Sequence, residues 1–372
     1  MKKVSILTGS LIIGFVGSAY AGGYESNALS TSFMYEAGGE FNAYSEVSYG
    51  SRSYDIKGTV YAPTGSAVKD QTSTTISFKY DVTDNITVGF TNYNQGNIQL
   101  DYSEAGAAGG LAALLPVVDL TIDARVLLAK YNISENIGVI AGVKQTVVQD
   151  ASADIFQQVP GGLGGPYAKS EITGDTEIGY VYGVAYTQDE IALRAELTFE
   201  TSTDFELATT GGNPPAVAAS GTTEGSTPDY INLYLQSGIA EDTLLYGSIR
   251  TANWSENQIF VYPHGGSATS SFTDSRTYSL GLGRKFTDNF SGSISLSGEP
   301  KGASAGTSLL SITNGYQGIT LGGKYTINNM SITGGYNYTQ LGDKTVTPDG
   351  GAAGEFTDNT LTGLGVRVGF KF

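Results

Sequence analysis

The 372-residue chain holds 51 Gly, 24 Tyr, one His, one Trp and no Cys, with 15% charged residues and a formal charge of -16. Without cysteine there are no disulfides, no thiol nucleophile and no Cys-based metal site, and the acidic balance argues against nucleic acid as a partner. A lone histidine cannot supply the several N or S ligands of a transition-metal centre, so neither a metal nor a cofactor is expected.

The chain opens with an export signal. Lys2 and Lys3 form a charged start, residues 4–16 are mostly apolar, and Ala19-Tyr20-Ala21 offers small residues for cleavage before Gly22. Removing the two lysines leaves 18 basic against 36 acidic residues. Downstream, no uncharged apolar run reaches the roughly 18 residues of a membrane helix. The strongest candidate, residues 105–118 (AGAAGGLAALLPVV), is glycine-rich and interrupted by Pro116. A short segment, residues 22–38, precedes a first strand expected near 39–56.

From there one pattern recurs about every 50 residues: a strand, a tight turn rich in Asp, Asn, Glu and Thr, then a second alternating strand. It falls at residues 80–86, 131–137, 186–191, 237–243, 286–290 and 325–330. Asn and Asp tolerate the turn conformations such hairpins need. Twelve strands follow from these six turns, near 72–81, 86–94, 119–131, 138–149, 174–187, 191–204, 229–237, 243–254, 276–286, 289–298, 317–327 and 330–340, with a last one near 358–372. Within them apolar residues alternate: Leu364, Val366, Val368, Phe370 and Phe372 share one face, while Gly363, Gly365, Arg367, Gly369 and Lys371 share the other. The expectation is an all-β fold, a transmembrane antiparallel β-barrel of about 14 strands over residues 39–372. Short turns would face the periplasm and long loops the outside of a Gram-negative outer membrane.

Several runs resemble the FadL/TodX-type outer-membrane transporters of long-chain fatty acids and aromatic hydrocarbons. They are Ser32-Phe33-Met34-Tyr35-Glu36-Ala37-Gly38, the run IGYVYGVAYTQDEIALRAELT at 178–198, and the ending LGVRVGFKF, a barrel C-terminus in which Phe370 and Phe372 would be read by the assembly machinery. The resemblance spans nearly the whole mature chain. It implies a monomeric fourteen-stranded channel that takes up hydrophobic small molecules passively, with no catalytic step. Larger members begin with a plug domain carrying Asn-Pro-Ala; here the nearest fragment is Ser26-Asn27-Ala28-Leu29, so residues 22–38 are expected to form a reduced plug.

Two residue sets are candidates for handling cargo. Leu111, Leu114, Leu115, Val117 and Val118 would form an apolar extracellular patch that captures substrate, or would pack over the barrel mouth. Asp123, Arg125, Arg194, Glu196, Arg250 and Arg367 are expected on the wet inner face, because a lipid-facing arginine costs about 2–4 kcal/mol at the bilayer midplane. There they would neutralise one another, or an arginine would hold a carboxylate. Hydrolysis by His264 with Ser267 or Ser270 lacks an orienting partner. Acidic loops could bridge divalent cations to the lipopolysaccharide outside, although charge runs commonly just face solvent. The alternative function is a diffusion porin for small polar solutes, which the apolar run at 105–118 disfavours.

Overall fold

The structure, a computed structural model, describes residues 23–109, 115–156, 167–212, 219–263, 268–347 and 353–372. Fourteen antiparallel strands close on themselves: β1 (Ala43–Asp55), β2 (Gln71–Thr83), β3 (Ile86–Asp101), β4 (Val117–Asn132), β5 (Ile137–Val148), β6 (Asp175–Gln188), β7 (Leu193–Glu200), β8 (Tyr230–Ala240), β9 (Thr243–Ala252), β10 (Ser275–Lys285), β11 (Phe290–Glu299), β12 (Tyr316–Ile327), β13 (Met330–Leu341) and β14 (Thr360–Lys371). Pairing of β1 with β14, from Tyr44↔Lys371 to Asp55↔Thr360, completes the ring.

The six anticipated turns all lie at one end, with the chain's C-terminus. Three of them are closed by the same device, a Ser or Thr hydroxyl accepting from the backbone two and three residues on: Thr83 from Asn85 and Ile86, Ser134 from Asn136 and Ile137, Thr287 from Asn289 and Phe290. In the others Ala192, Asp242 and Asn328 take left-handed φ of 51°, 55° and 50°. Most expected strand ends fall within a few residues of those observed. The main departures are β3, which continues past residue 94 to Asp101, and β7, which stops at Glu200 instead of near 204.

Above the opposite end the wall continues as two hairpins, Ala151–Phe156 with Tyr167–Ile172 and Thr203–Gly212 with Ala219–Thr227. A small sheet of five short strands, Gly58–Val60, Ala62–Pro63, Ala305–Gly306, Lys344–Val346 and Gly354–Phe356, covers another part of the mouth.

Outward faces carry an apolar belt, bounded below by aromatics such as Tyr131, Tyr186, Phe290, Tyr325 and Phe370 and above by Tyr49, Tyr180, Tyr278 and Tyr338, all substantially exposed. Two girdles around an apolar band are what a bilayer demands of a barrel, and this is a transmembrane barrel of the outer-membrane type. The belt is uneven. β6 gives it Ile178, Tyr180, Tyr182, Val184 and Tyr186, whereas β3 gives only Ile86, Val88 and Phe90 before Asn92, and β4 only Leu127, Ala129 and Tyr131 below Arg125.

Candidate functional site

Residues 23–38 run inside the barrel. At the extracellular end Tyr24 packs edge-on against Trp254 at 4.6 Å and Phe272 at 5.7 Å, and its hydroxyl donates to the Ser226 carbonyl at 2.8 Å. Towards the turns, Phe33 and Met34, each 1% exposed, fill the space against Leu128, Ile140 and Val181. Gly89 permits this fit, since a Cβ there would meet Met34 Sδ at 2.2 Å. An extended chain covers roughly 3.3 Å per residue, so sixteen residues suffice to thread a barrel without forming a folded domain.

Polar wall residues hold this segment. Glu25 accepts from Arg250 Nε at 3.0 Å and Nη2 at 2.5 Å; Arg250 Nη1 also donates to Glu200 at 3.0 Å, and Lys144 Nζ to the other Glu200 oxygen at 3.2 Å. All four side chains are buried, and the Arg250 guanidinium lies 4.1 Å from the Tyr230 ring centroid. Lower down, Thr31 donates to Glu196, while Lys130 Nζ and the Arg194 guanidinium lie 4.2 and 4.4 Å from the Tyr35 ring centroid. Charges packed this way keep apolar molecules out, because a lodged hydrocarbon would strip partners from buried ions.

Apolar surface is concentrated at the other end, beneath the loops. One contiguous cluster joins Tyr24, Ile98, Leu100, Leu115, Val118, Ile122, Phe205, Trp254, Leu310 and Phe356, with further residues of the loops. Within it lies a cavity of about 40 Å³ lined by Tyr24, Ile98, Val118, Ile155, Phe205 and Ile259 among others, which leaves room for only a small group while the loops are closed. The floor of the cavity is thus Tyr24 of the inserted segment.

Beside that floor the wall is open. The β2–β3 ladder runs from Thr83↔Ile86 to Ile76↔Asn92 and ends there. Gln71–Thr75 stay paired to β1, while β3 turns inward at a bulge between Asn94 and Gly96, and only above the gap do residues 67–69 rejoin it at Gln99–Asp101. The edge that β3 loses is taken by the inserted segment: Ser26 N donates to the Gln95 carbonyl at 2.7 Å and Asn97 N to the Tyr24 carbonyl at 3.1 Å. Gly96 lets them approach, since a Cβ would meet the Tyr24 ring at 2.6 Å and its carbonyl oxygen at 2.9 Å. The outcome is a side window between 71–75 and 93–98. Behind it is a chamber of about 90 Å³ lined by Asn27, Arg52, Ser73, Thr75, Ser77 and Tyr93, among others.

A barrel of this kind recurs in solved structures. A Pseudomonas aeruginosa FadL homologue superposes with a TM-score of 0.74 over 96% of this chain and 98% of its own, at 12% identity. The fold is the FadL-type barrel. The Pseudomonas putida toluene transporter TodX matches at 0.63 (11% identity; 89% and 90% covered) and the Ralstonia pickettii toluene transporter TbuX at 0.64 (14%; 92% and 94%). By sequence, no family model and no curated protein matches the chain.

Within this FadL-type barrel the anticipated inner charges divide. Arg194, Glu196, Arg250 and Arg367 point inward and are buried, and Arg367 Nη1 lies 3.5 Å from Glu46. Asp123 and Arg125 do not. They sit on the outer face of β4, where Asp123 accepts from Asn94 and Gln149 and Arg125 donates to Gln145, because Ala124, Val126 and Leu128 take the inner face against the inserted segment. Both lie above Leu127, past the apolar belt, so their placement carries no hydrocarbon cost. Of the anticipated capture set, Leu115 and Val118 are buried in the apolar cluster and Val117 is half-buried, while Leu111 and Leu114 fall outside the described residues. His264 and Ser267 also fall outside them; Ser270 is buried and donates to Gln258 at 2.7 Å. Among the described residues no group of three metal-ligating side chains converges. The alternation pattern did not signal Tyr24, Glu25, Arg52 or the window. The only local hint was the Asn-Gln-Gly run at 94–96, a break in an otherwise alternating strand.

Proposed function

We propose that the chain is a passive outer-membrane channel for hydrophobic small molecules, with residues 23–38 as its plug, the loop cavity as its entry site and the side window as its exit. One observation carries this reading: the apolar cavity ends on Tyr24, and below it the lumen is crossed by the buried Glu25–Arg250–Glu200–Lys144 network. A molecule that favours the cavity finds a costly path straight down and a short one sideways into the bilayer. The solved FadL and toluene transporters named above share the fold, which agrees with cargo of that class. The channel acts as a monomer set among outer-membrane lipid and lipopolysaccharide, without cofactor or catalysis, and Phe370 and Phe372 at its closing strand serve recognition by the assembly machinery.

Trp254, the single tryptophan, packs on Tyr24 at the cavity floor and so reports occupancy. Long-chain fatty acids or small aromatic hydrocarbons should change its fluorescence saturably, and Ala153→Leu, which fills the cavity from a residue with 1% exposure, should raise the dissociation constant at least tenfold. Large steady ionic currents in planar bilayers, with no fluorescence response to either ligand, would overturn the reading in favour of a polar-solute porin.

A further inference from the structure

The lipid-facing wall is indented between β8 and β11. On β9 the outward row runs Leu245, Gly247, Ile249, and the ladders set Gly247 level with Leu235 of β8 and Leu280 of β10, which stands opposite Leu296 of β11. All five apolar side chains are exposed, so the missing one leaves a notch framed by leucine and isoleucine. Nothing larger than glycine fits without moving the wall, since a Cβ at Gly247 would meet the Ser279 carbonyl oxygen at 2.5 Å. The notch opens into a groove of about 660 Å³ that runs from Leu193 and Ser237 near the turns to Tyr278 and Gly298 at the upper girdle, with an almost wholly apolar surface.

The two ends of the groove differ in charge. Above Tyr278 the next outward residue of β10 is Arg276, which is exposed, and among the described residues no ion pair reaches it. Lys301, also exposed, follows β11 by two residues at the same rim. Carboxylates of the adjoining loop are engaged within it: Asp274 accepts from the Ser255 N–H and hydroxyl at 2.9 and 2.7 Å, and Glu256 from Asn253 at 3.2 Å. At the lower end the outward β10 residue, Arg284, donates to Thr243 Oγ1 at 3.4 Å, and the flanking turns carry Asp189, Glu190, Glu241 and Asp242. In a chain with a formal charge of -16, the upper rim therefore offers cations to a phosphate while the lower one repels it. We propose that this face binds one lipopolysaccharide molecule of the outer leaflet, with an acyl chain lying in the groove across Gly247 and a head-group phosphate on Arg276 and Lys301. Arginine meets phosphate oxygens with paired N–H donors. Lipid is as apolar as leucine, so the chain gains from close packing in the notch and not from leaving water. The site lies on the outer face, apart from the lumen and the window, and needs only the outer-membrane location, so it stands independently of the uptake reading.

The test is native mass spectrometry of the intact barrel extracted from outer membranes in mild nonionic detergent, followed by titration of the lipid-stripped protein with purified lipopolysaccharide. The wild type should retain one lipopolysaccharide per chain and rebind it after stripping. Arg276→Gln and Lys301→Gln should each weaken rebinding about fivefold, and Arg276→Lys should restore most of it. Gly298→Leu fills the upper end of the groove, where a Cβ would meet only the Tyr316 carbonyl oxygen at 3.1 Å, and should weaken binding while heat-shifted mobility shows the barrel folded. A wild type that neither retains nor rebinds lipopolysaccharide overturns the site. Equal binding by Gly298→Leu and the wild type removes the acyl chain from the groove and overturns it as well. So does binding that Arg284→Gln weakens and Arg276→Gln does not, which puts an inner-leaflet phospholipid there, and so does a lipid-free dimer, which assigns the groove to a second copy of the chain.

Discussion

At the residue scale, the extracellular cap contains a buried cation with no carboxylate in salt-bridge contact among the described residues. Lys344, 5% exposed, lies in the short strand Lys344–Val346 and donates to Ser311 Oγ at 2.9 Å. Burial pushes its ammonium down to about 8 from an ordinary value near 10.5, and the attraction of Glu299 opposes that shift only partly. The sign of the consequence follows from proton binding. Below about pH 8 the lysine is charged in folded and unfolded chains alike, and the fold bears the full burial cost. Between about 8 and 10.5 the folded chain binds fewer protons, so stability rises with pH, and above that range it levels off. Urea unfolding in micelles should therefore show a rising midpoint across that window, and Lys344→Met should flatten it. A flat wild-type profile would contradict the assignment.

At the scale of elements, the plug and β3 form one unit: an N-terminal strand replaces β2 where β3 leaves the wall. Gly96→Val should disrupt it by forcing Tyr24 off the β3 edge. The expected result is an ion conductance in planar bilayers well above that of the wild type, with the barrel still folded as judged by heat-shifted mobility. Unchanged conductance would mean that the Glu25–Arg250 pair alone retains the segment. Much of the barrel was legible in sequence because lipid and lumen impose a period of two, which a strand such as Leu364 to Phe372 shows directly. The wet face of β4 was misassigned, placing Asp123 and Arg125 inside, because the plug makes the inner face of that strand apolar and inverts the usual contrast. The window was not legible for a related reason. It arises from a register break whose cause, the pairing of Ser26 and Tyr24 with Gln95 and Asn97, joins parts of the chain about 70 residues apart. Periodicity reports a strand's neighbours on average, and it does not report a partner borrowed from elsewhere.

At the scale of the whole molecule, the uneven belt bears on the membrane as much as on the protein. Alternate residues of a strand rise about 6.6 Å, so a strand with three outward apolar positions covers roughly half the height of one with five. β3, on one side of the window, and its neighbour β4 have three such positions, while β6 has the full row from Ile178 to Tyr186. Hydrocarbon cannot rest against Asn92 and Arg125 without cost, so the outer leaflet must dip along this arc of the wall. The leaflet beside β3 and β4 is therefore expected to be thinner than beside β6. Thr74→Leu with Asn92→Leu would raise the belt there; lipid spin labels reporting leaflet depth should then see the dip vanish, and release of cargo into proteoliposome membranes should slow. A wall of this shape would set a local defect in the bilayer where it is open.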